Sequence, residues 1–140
     1  VINRETIWAG VFAFLQNLAP FAETGRKVKH WDDCENFPAL FMEQGPETVT
    51  KVGRGLPQSY TMSAEIYIYV RNESNSTPAP QVNALLDAVD AALKPTTPDG
   101  RVTLGGLVHD AWIEGQIARD EGVLGAIGVA VVPLKVLLAY

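Results

Sequence analysis

Cys34 is the chain's one thiol. His30 stands four residues before it with Asp32 and Asp33 between, the side chains from which a nucleophile, its base and an orienting carboxylate are assembled. The spacing argues against that use: nucleophile and base normally come from distant parts of a sequence, and no oxyanion-type glycine motif surrounds Cys34. A loop cysteine beside solvated acids is the expectation. His109, Asp110 and Glu114 are residue types of a metal centre, but alternation along a strand sets His109 on the face opposite Asp110 and Glu114. With two histidines and one cysteine in all, no zinc or iron ligand set is expected. Gly53-Arg-Gly-Leu-Pro57 and Leu104-Gly-Gly-Leu107 lack the strand, spacing and following helix of a phosphate cradle, and Asp99-Gly100 is a turn signal. Trp8 and Phe12 widen a helical apolar stripe and are assigned to core packing instead of a cofactor. No catalytic residue, cofactor or metal is therefore expected, and the chain is not read as an enzyme.

The elements that would position any site fit one domain over residues 1–140, large enough to bury about two thirds of its unfolded surface without disulfides. A lone cysteine suits a reducing compartment, and no signal peptide is read at the N-terminus. The 16 acidic residues outnumber 11 basic ones for a net charge of −5, which argues against tight nucleic-acid binding. The basic run Arg26-Lys-Val-Lys-His30 is cancelled locally by Trp31-Asp-Asp33 and reads as a solvated strand edge.

Residues Asn3 to Leu18 carry Ile7, Val11, Phe14, Leu15 and Leu18 at helical spacing, with Asn3 as cap, Glu5 in the first turn and Pro20 as the stop. Arg26 to Trp31 reads as a short strand and Ala39-Leu-Phe-Met42 as a buried one. Gly45-Pro46 reads as a turn, and Thr48-Val-Thr-Lys-Val52 as a further strand. From Met62 to Arg71 a period of two is clear: Met62, Ala64, Ile66, Ile68 and Val70 on one face, Ser63, Glu65, Tyr67, Tyr69 and Arg71 on the other. A second helix is expected from Thr77 as cap and Pro78 as first helical residue to about Leu93. Its apolar stripe is Val82, Leu85, Leu86, Val89, Ala92 and Leu93.

Two strand-like runs close the chain. In the first, Leu107, His109, Ala111, Ile113 and Ile117 alternate with Val108, Asp110, Trp112, Glu114 and Gln116, and Arg119-Asp-Glu-Gly122 is the hairpin turn. In the second, Val132, Leu134, Val136 and Leu138 form one face and Ile127, Val129, Val131 and Leu137 the other. Both faces are apolar, which calls for cover on two sides. Pro133, Lys135 and two glycines set this run against a membrane-spanning helix. Two short helices cannot cover everything, so neighbouring copies of the chain are expected to supply the rest. The resulting class is α+β: a mixed or mainly antiparallel sheet with two helices packed on one face.

The chain resembles the tail terminator (tail completion, or minor tail) proteins of long-tailed bacteriophages. The resembling portion runs from Pro38 onward and includes Ala64-Glu-Ile-Tyr-Ile-Tyr-Val70, Val82-Asn-Ala-Leu-Leu-Asp-Ala-Val-Asp-Ala-Ala-Leu93, Leu104-Gly-Gly-Leu-Val-His-Asp-Ala-Trp-Ile-Glu-Gly115 and Asp120-Glu-Gly122. The resemblance implies a structural virion protein, assembled in the host cytoplasm and located at the head–tail junction. It would cap the tail tube as a ring, hexameric in the family, halt tube polymerisation and bind the tube protein and the head–tail connector. DNA would pass through the lumen without specific binding, and no membrane would be involved. A head-side neck or adaptor protein of the same virion is the alternative reading, and a cytoplasmic enzyme using Cys34 a third. Loops on a rigid sheet commonly carry recognition, so the interface is expected at Arg54, Leu56, Gln58, Asn72, Asn75, Asp99 and Arg101.

Overall fold

In the computed structural model, which describes residues 2–51, 53–56, 58–71, 77–121 and 126–139, helix α1 spans Arg4–Gln16. Asn3 caps it, its side-chain oxygen accepting the Thr6 amide at 3.0 Å, and Ile7, Trp8, Val11 and Leu15 are buried. The helix closes before Leu18: the Asn17 side-chain amide donates to the Ala13 carbonyl at 2.8 Å, and tighter turns carry the chain to Pro20. Strand β1 (Glu23–Gly25) follows, then a helical turn at Trp31–Asp33, β2 (Ala39–Lys51), β3 (Gln58–Arg71), helix α2 (Ala79–Ala92), β4 (Asp110–Ile113), β5 (Ala118–Asp120) and β6 (Ile127–Ala139).

These strands form a mixed sheet in the order β1-β2-β3-β6-β4, with β5 also paired to β6. Only β1 and β2 run parallel; the other pairings are antiparallel. Period-two alternation sends Leu40, Met42, Met62, Ala64, Ile66, Ile68 and Val70 to one face, where they join Ala130, Val132, Leu134, Val136 and Leu138. Both helices lay their apolar stripes on this face, α1 through Val11 and Leu15 and α2 through Val82, Leu85 and Val89. The expected α+β plan is the observed one. Helix α2 comes close because β6 has a glycine beneath it. A Cβ at Gly128 would lie 2.8 Å from Pro78 Cβ and 3.1 Å from Val70 Cγ2.

Several expected boundaries move, each for a physical reason. The first strand sits at Glu23–Gly25 instead of Arg26 to Trp31, because the residues after Gly25 pack against side chains of the sheet instead of pairing along it. There Val28 packs on a small cluster with Phe41 and Tyr69, and the Lys29 carbonyl accepts the Tyr69 hydroxyl at 2.8 Å. Arg26 pairs with Glu5, and Lys29 with Glu23 at 3.3 Å. Gly45-Pro46 is not a turn but a bulge inside one long strand: Gln44 faces Ala64 and Glu47 faces Met62, leaving Ser63 opposite both bulge residues. The Ser63 hydroxyl donates to the Pro46 carbonyl at 2.5 Å, and a Cβ at Gly45 would stand 2.8 Å from that hydroxyl oxygen.

The run from Leu104 to Ile117 is not one strand. Positive φ angles at Leu104 (50°), Gly105 (73°), Gly106 (88°) and Gly115 (110°) confine regular pairing to Asp110–Ile113. Val108 is consequently buried, although alternation places it opposite Leu107 and Ala111. Arg119 and Asp120 belong to β5 and face Ala130 and Val129, so neither is in the turn expected of them; Gly122 lies outside the described residues. Pro78 is the cap position of α2, not its first helical residue, and the bond from the Ala79 amide to Thr77 Oγ1 is long, 3.4 Å. Among the described residues no helix is long and apolar enough to cross a membrane.

Candidate interaction surface

The two faces of β6 have different surroundings. Val132, Leu134, Val136 and Leu138 are at most 2% exposed, whereas Ile127, Val129, Val131, Pro133, Lys135 and Leu137, on the face away from the helices, are only partly covered. Their cross-strand partners extend this open face: Tyr67 beside Val131, Glu65 beside Pro133, Thr61 beside Leu137 and Trp112 beside Lys135. Segment 26–37 shields one corner, where Val28, Cys34 and Phe37 cover Ala39, Phe41 and Tyr69. Beyond Tyr67 and Val129 that cover stops. A half-covered apolar strip on a rigid sheet is the kind of surface that marks an interaction site.

The residues expected at an interface divide into two groups. Arg54 and Leu56 stand in the β2–β3 turn, with Leu56 52% exposed and Val49 beside them on β2 47% exposed. Gln58 opens β3 and accepts the Tyr60 hydroxyl at 2.9 Å. Asp99 and Arg101 form a clasp after α2: Arg101 Nε donates to Asp99 at 2.8 Å, its amide to Thr97 Oγ1 at 2.9 Å and its Nη1 to the His109 carbonyl at 3.3 Å. The His109 amide bonds the Leu137 carbonyl, and Ala139 pairs with Ser59, so this clasp lies at the same end of the sheet as the Arg54 turn. Asn72 and Asn75 lie outside the described residues.

Helix α1 is tied to this end of β2. Arg4 donates to Glu47 from Nε at 2.8 and 3.0 Å and from Nη2 at 2.6 Å, and its guanidinium lies 5.8 Å from the centre of the Tyr60 ring. The hydrogen bond from Arg4 holds the Glu47 carboxyl below the usual carboxylate range. Glu5 is held down by its bond from Arg26, and Asp99 by bonds from Thr97 and then Arg101. A carboxyl that binds its proton less readily when folded stabilises the fold at neutral pH and loses that contribution as pH falls through the carboxylate range. Thermal unfolding should therefore move to lower temperature between roughly pH 5 and pH 3. Glu47→Gln should flatten part of that slope in calorimetric scans, and an unchanged slope would show that this pair contributes nothing.

Cys34 and His30 do not form a nucleophile and base. The Cys34 thiol, 7% exposed, points at the His30 backbone carbonyl at 3.7 Å, while His30 Nδ1 accepts the Asp32 amide at 3.2 Å. Burial, then the nearby Glu23 carboxylate, push the thiol up to about 11. At pH 8 its thiolate fraction is on the order of a hundredfold below that of a free cysteine, so alkylation by iodoacetamide should slow by about that factor in the folded chain. Mass spectrometry with and without denaturant checks this; equal rates in both would contradict the burial. Asp110 likewise acts structurally, its Oδ1 accepting the Val102 amide at 3.0 Å and the Ala111 amide at 2.9 Å. Among the described residues, no three His, Cys, Asp or Glu side chains gather to hold a metal.

One grouping on this surface is only partly signalled in the sequence. Glu43 and Glu65 face each other across β2 and β3 on the open side, and Tyr67 reaches both. Only the strand register brings them together. The period of two does assign Glu65 and Tyr67 to one face, but Glu43 joins them through pairing alone.

The architecture is that of an α+β protein whose sheet has one face under two helices and the other only partly covered. No family model matches the chain, and no curated protein matches it in sequence. Among solved structures, the fold is similar to that of a chain in "Virion of native gene transfer agent (GTA) particle", with a TM-score of 0.53 and 13% identity. The likeness covers 96% of this chain and 92% of that one, so nearly the whole of each shares the fold.

Proposed function

We propose that this chain is a structural protein of a phage-like virion that closes the end of the tail tube and joins it, as a ring of identical copies, to the connector on the head side. The observation that supports this most is the fold shared along almost the full length of both chains with a component of the gene transfer agent virion. The open apolar strip on β6 adds a physical motive for assembly, since a ring of identical heterologous contacts gives every copy the cover it lacks alone. A net charge of −5 suits a protein beside a DNA channel, because tightly bound phosphate would slow transit. No bond is made or broken in this role.

The test is disruption of the gene in the genome that encodes the chain, followed by electron microscopy of the particles. A tail terminator is expected to leave tubes longer than normal and unattached to heads. Tubes of normal length that fail to join heads would instead assign the chain to the head-side neck. Normal, infectious particles lacking the protein would refute a structural role altogether.

A further inference from the structure

Glu43 and Glu65 are direct cross-strand partners on the open face, a like-charge pairing that costs a sheet stability. The Tyr67 hydroxyl stands 3.2 Å from Glu43 Oε2 and 3.0 Å from Glu65 Oε2. It carries one proton and can satisfy one carboxylate at a time. Among the described residues no salt bridge reaches either glutamate; Lys135, in the same groove, is in register with Ser63 and Trp112 and pairs with neither acid. The two carboxylates border a groove of about 390 Å³ beside the Gly45-Pro46 bulge, with Ser63 and Pro133 along it.

The complementary chemistry stands at the far end of the same hairpin. The turn is closed by the Leu56 amide donating to the Gly53 carbonyl at 3.3 Å, with Gly55 at a φ of 74°. It holds Arg54 in solvent next to the exposed Leu56, and Arg54 has no ion pair among the described residues. From Glu43 to Lys51 the strand measures roughly 25 Å. Strand β3 is bonded to β2 on one side and to β6 on the other along this length, so the arm is stiff. The turn cannot fold back onto the groove of its own chain.

We infer that the Arg54 turn of one copy seats in the Glu43/Glu65 groove of a second copy, Arg54 bridging the two carboxylates while Leu56 covers Pro133 and the Tyr67 ring. The inference rests on the ring reading above and specifies its contact. A guanidinium has five donors in a planar fork and can serve two carboxylates at once, which a single tyrosine proton cannot. Turn and groove are different surfaces, so the contact is heterologous and propagates from copy to copy until it closes. A nucleic acid would meet Arg54 favourably but would be repelled by the groove, which leaves the charge pattern of the groove unexplained.

Arg54→Glu and Glu65→Arg test this in the full chain, by analytical ultracentrifugation of each variant alone and of an equimolar mixture. Each alone is expected to associate at least about tenfold more weakly than the native chain, because like charges then meet across the contact. In the mixture one variant still carries Arg54 and the other still carries both glutamates, so mixed dimers should return. Circular dichroism verifies the fold, and Glu43→Arg substitutes for Glu65→Arg if that variant fails to fold. Native-strength association of both variants, or a mixture no better than its parts, overturns the contact while leaving the virion role to the particle experiment. A native chain that stays monomeric at millimolar concentration overturns it as well.

Discussion

Val131→Lys should leave the chain folded and abolish the self-association proposed above, whereas Val132→Lys, one position along, should leave little folded protein. The two valines are adjacent and chemically identical, and differ in the face they occupy. Val132 is 1% exposed beneath the helices, packed among the core residues of β3 and β6. An ammonium there has no partner and no water, a cost above about 4 kcal/mol against a total stability of roughly 5–15 kcal/mol. Val131 faces the open side beside Tyr67. A lysine at that position can lay its stem along the ring and keep its charge in water, so the fold should lose no more than about 1 kcal/mol. The same charge sits in the apolar strip a neighbouring copy would cover, and that contact should fail. Urea denaturation reads the first effect and sedimentation the second. A Val131→Lys chain that assembles normally would show that the open face of β6 is not an interface.

That these neighbours lie on opposite faces is legible in the sequence from the alternation along the strand, but which of two equally apolar faces lies under the helices is decided by packing. Helix α1 is equally legible: Asn3 caps it and its stripe of Ile7, Val11 and Leu15 is the buried one. The clean period of two at Met62 to Arg71 reappears residue for residue in β3. Features decided by partners distant in sequence are not legible in this way. Gly45-Pro46 carries the same local signal whether the chain turns or bulges. Here β3 continues opposite both halves of β2, and the dipeptide is absorbed as a bulge. The Leu104-Gly-Gly-Leu107 stretch leads into an alternating apolar pattern, yet its backbone takes positive φ angles that no strand allows. The candidate surface follows the same division. Arg54 and Leu56 stand out as a long cation and an apolar residue in a glycine-rich turn, while Glu43 and Glu65 become neighbours only through a hairpin register that composition does not encode.

Ile68→Ala should be among the costliest single truncations in the chain, lowering stability by about 2–5 kcal/mol. Ile68 is fully buried and sits in the central strand of the β2-β3-β6 layer, with Leu40 on one side and Ala130 on the other. Ala130 is already small, so the alanine would leave a hole flanked by a residue that cannot fill it. Neither neighbouring strand can close on the hole, because both are held in register by ladder bonds running most of the length of β3. The transfer loss and the cavity loss therefore add, which places this site toward the upper half of the range. Urea melts should show a lower midpoint with an unchanged slope, since the surface exposed on unfolding is nearly the same. The effect should also reach the proposed assembly without touching its contacts. Tyr67 is the next residue on β3 and belongs to the open face, so a looser strand would blur the spacing between the Glu43/Glu65 pair and the strip on β6. A cost below about 1 kcal/mol would mean that the layer can repack around Ala130, and that the sheet is a softer platform for the open face than its continuous register implies.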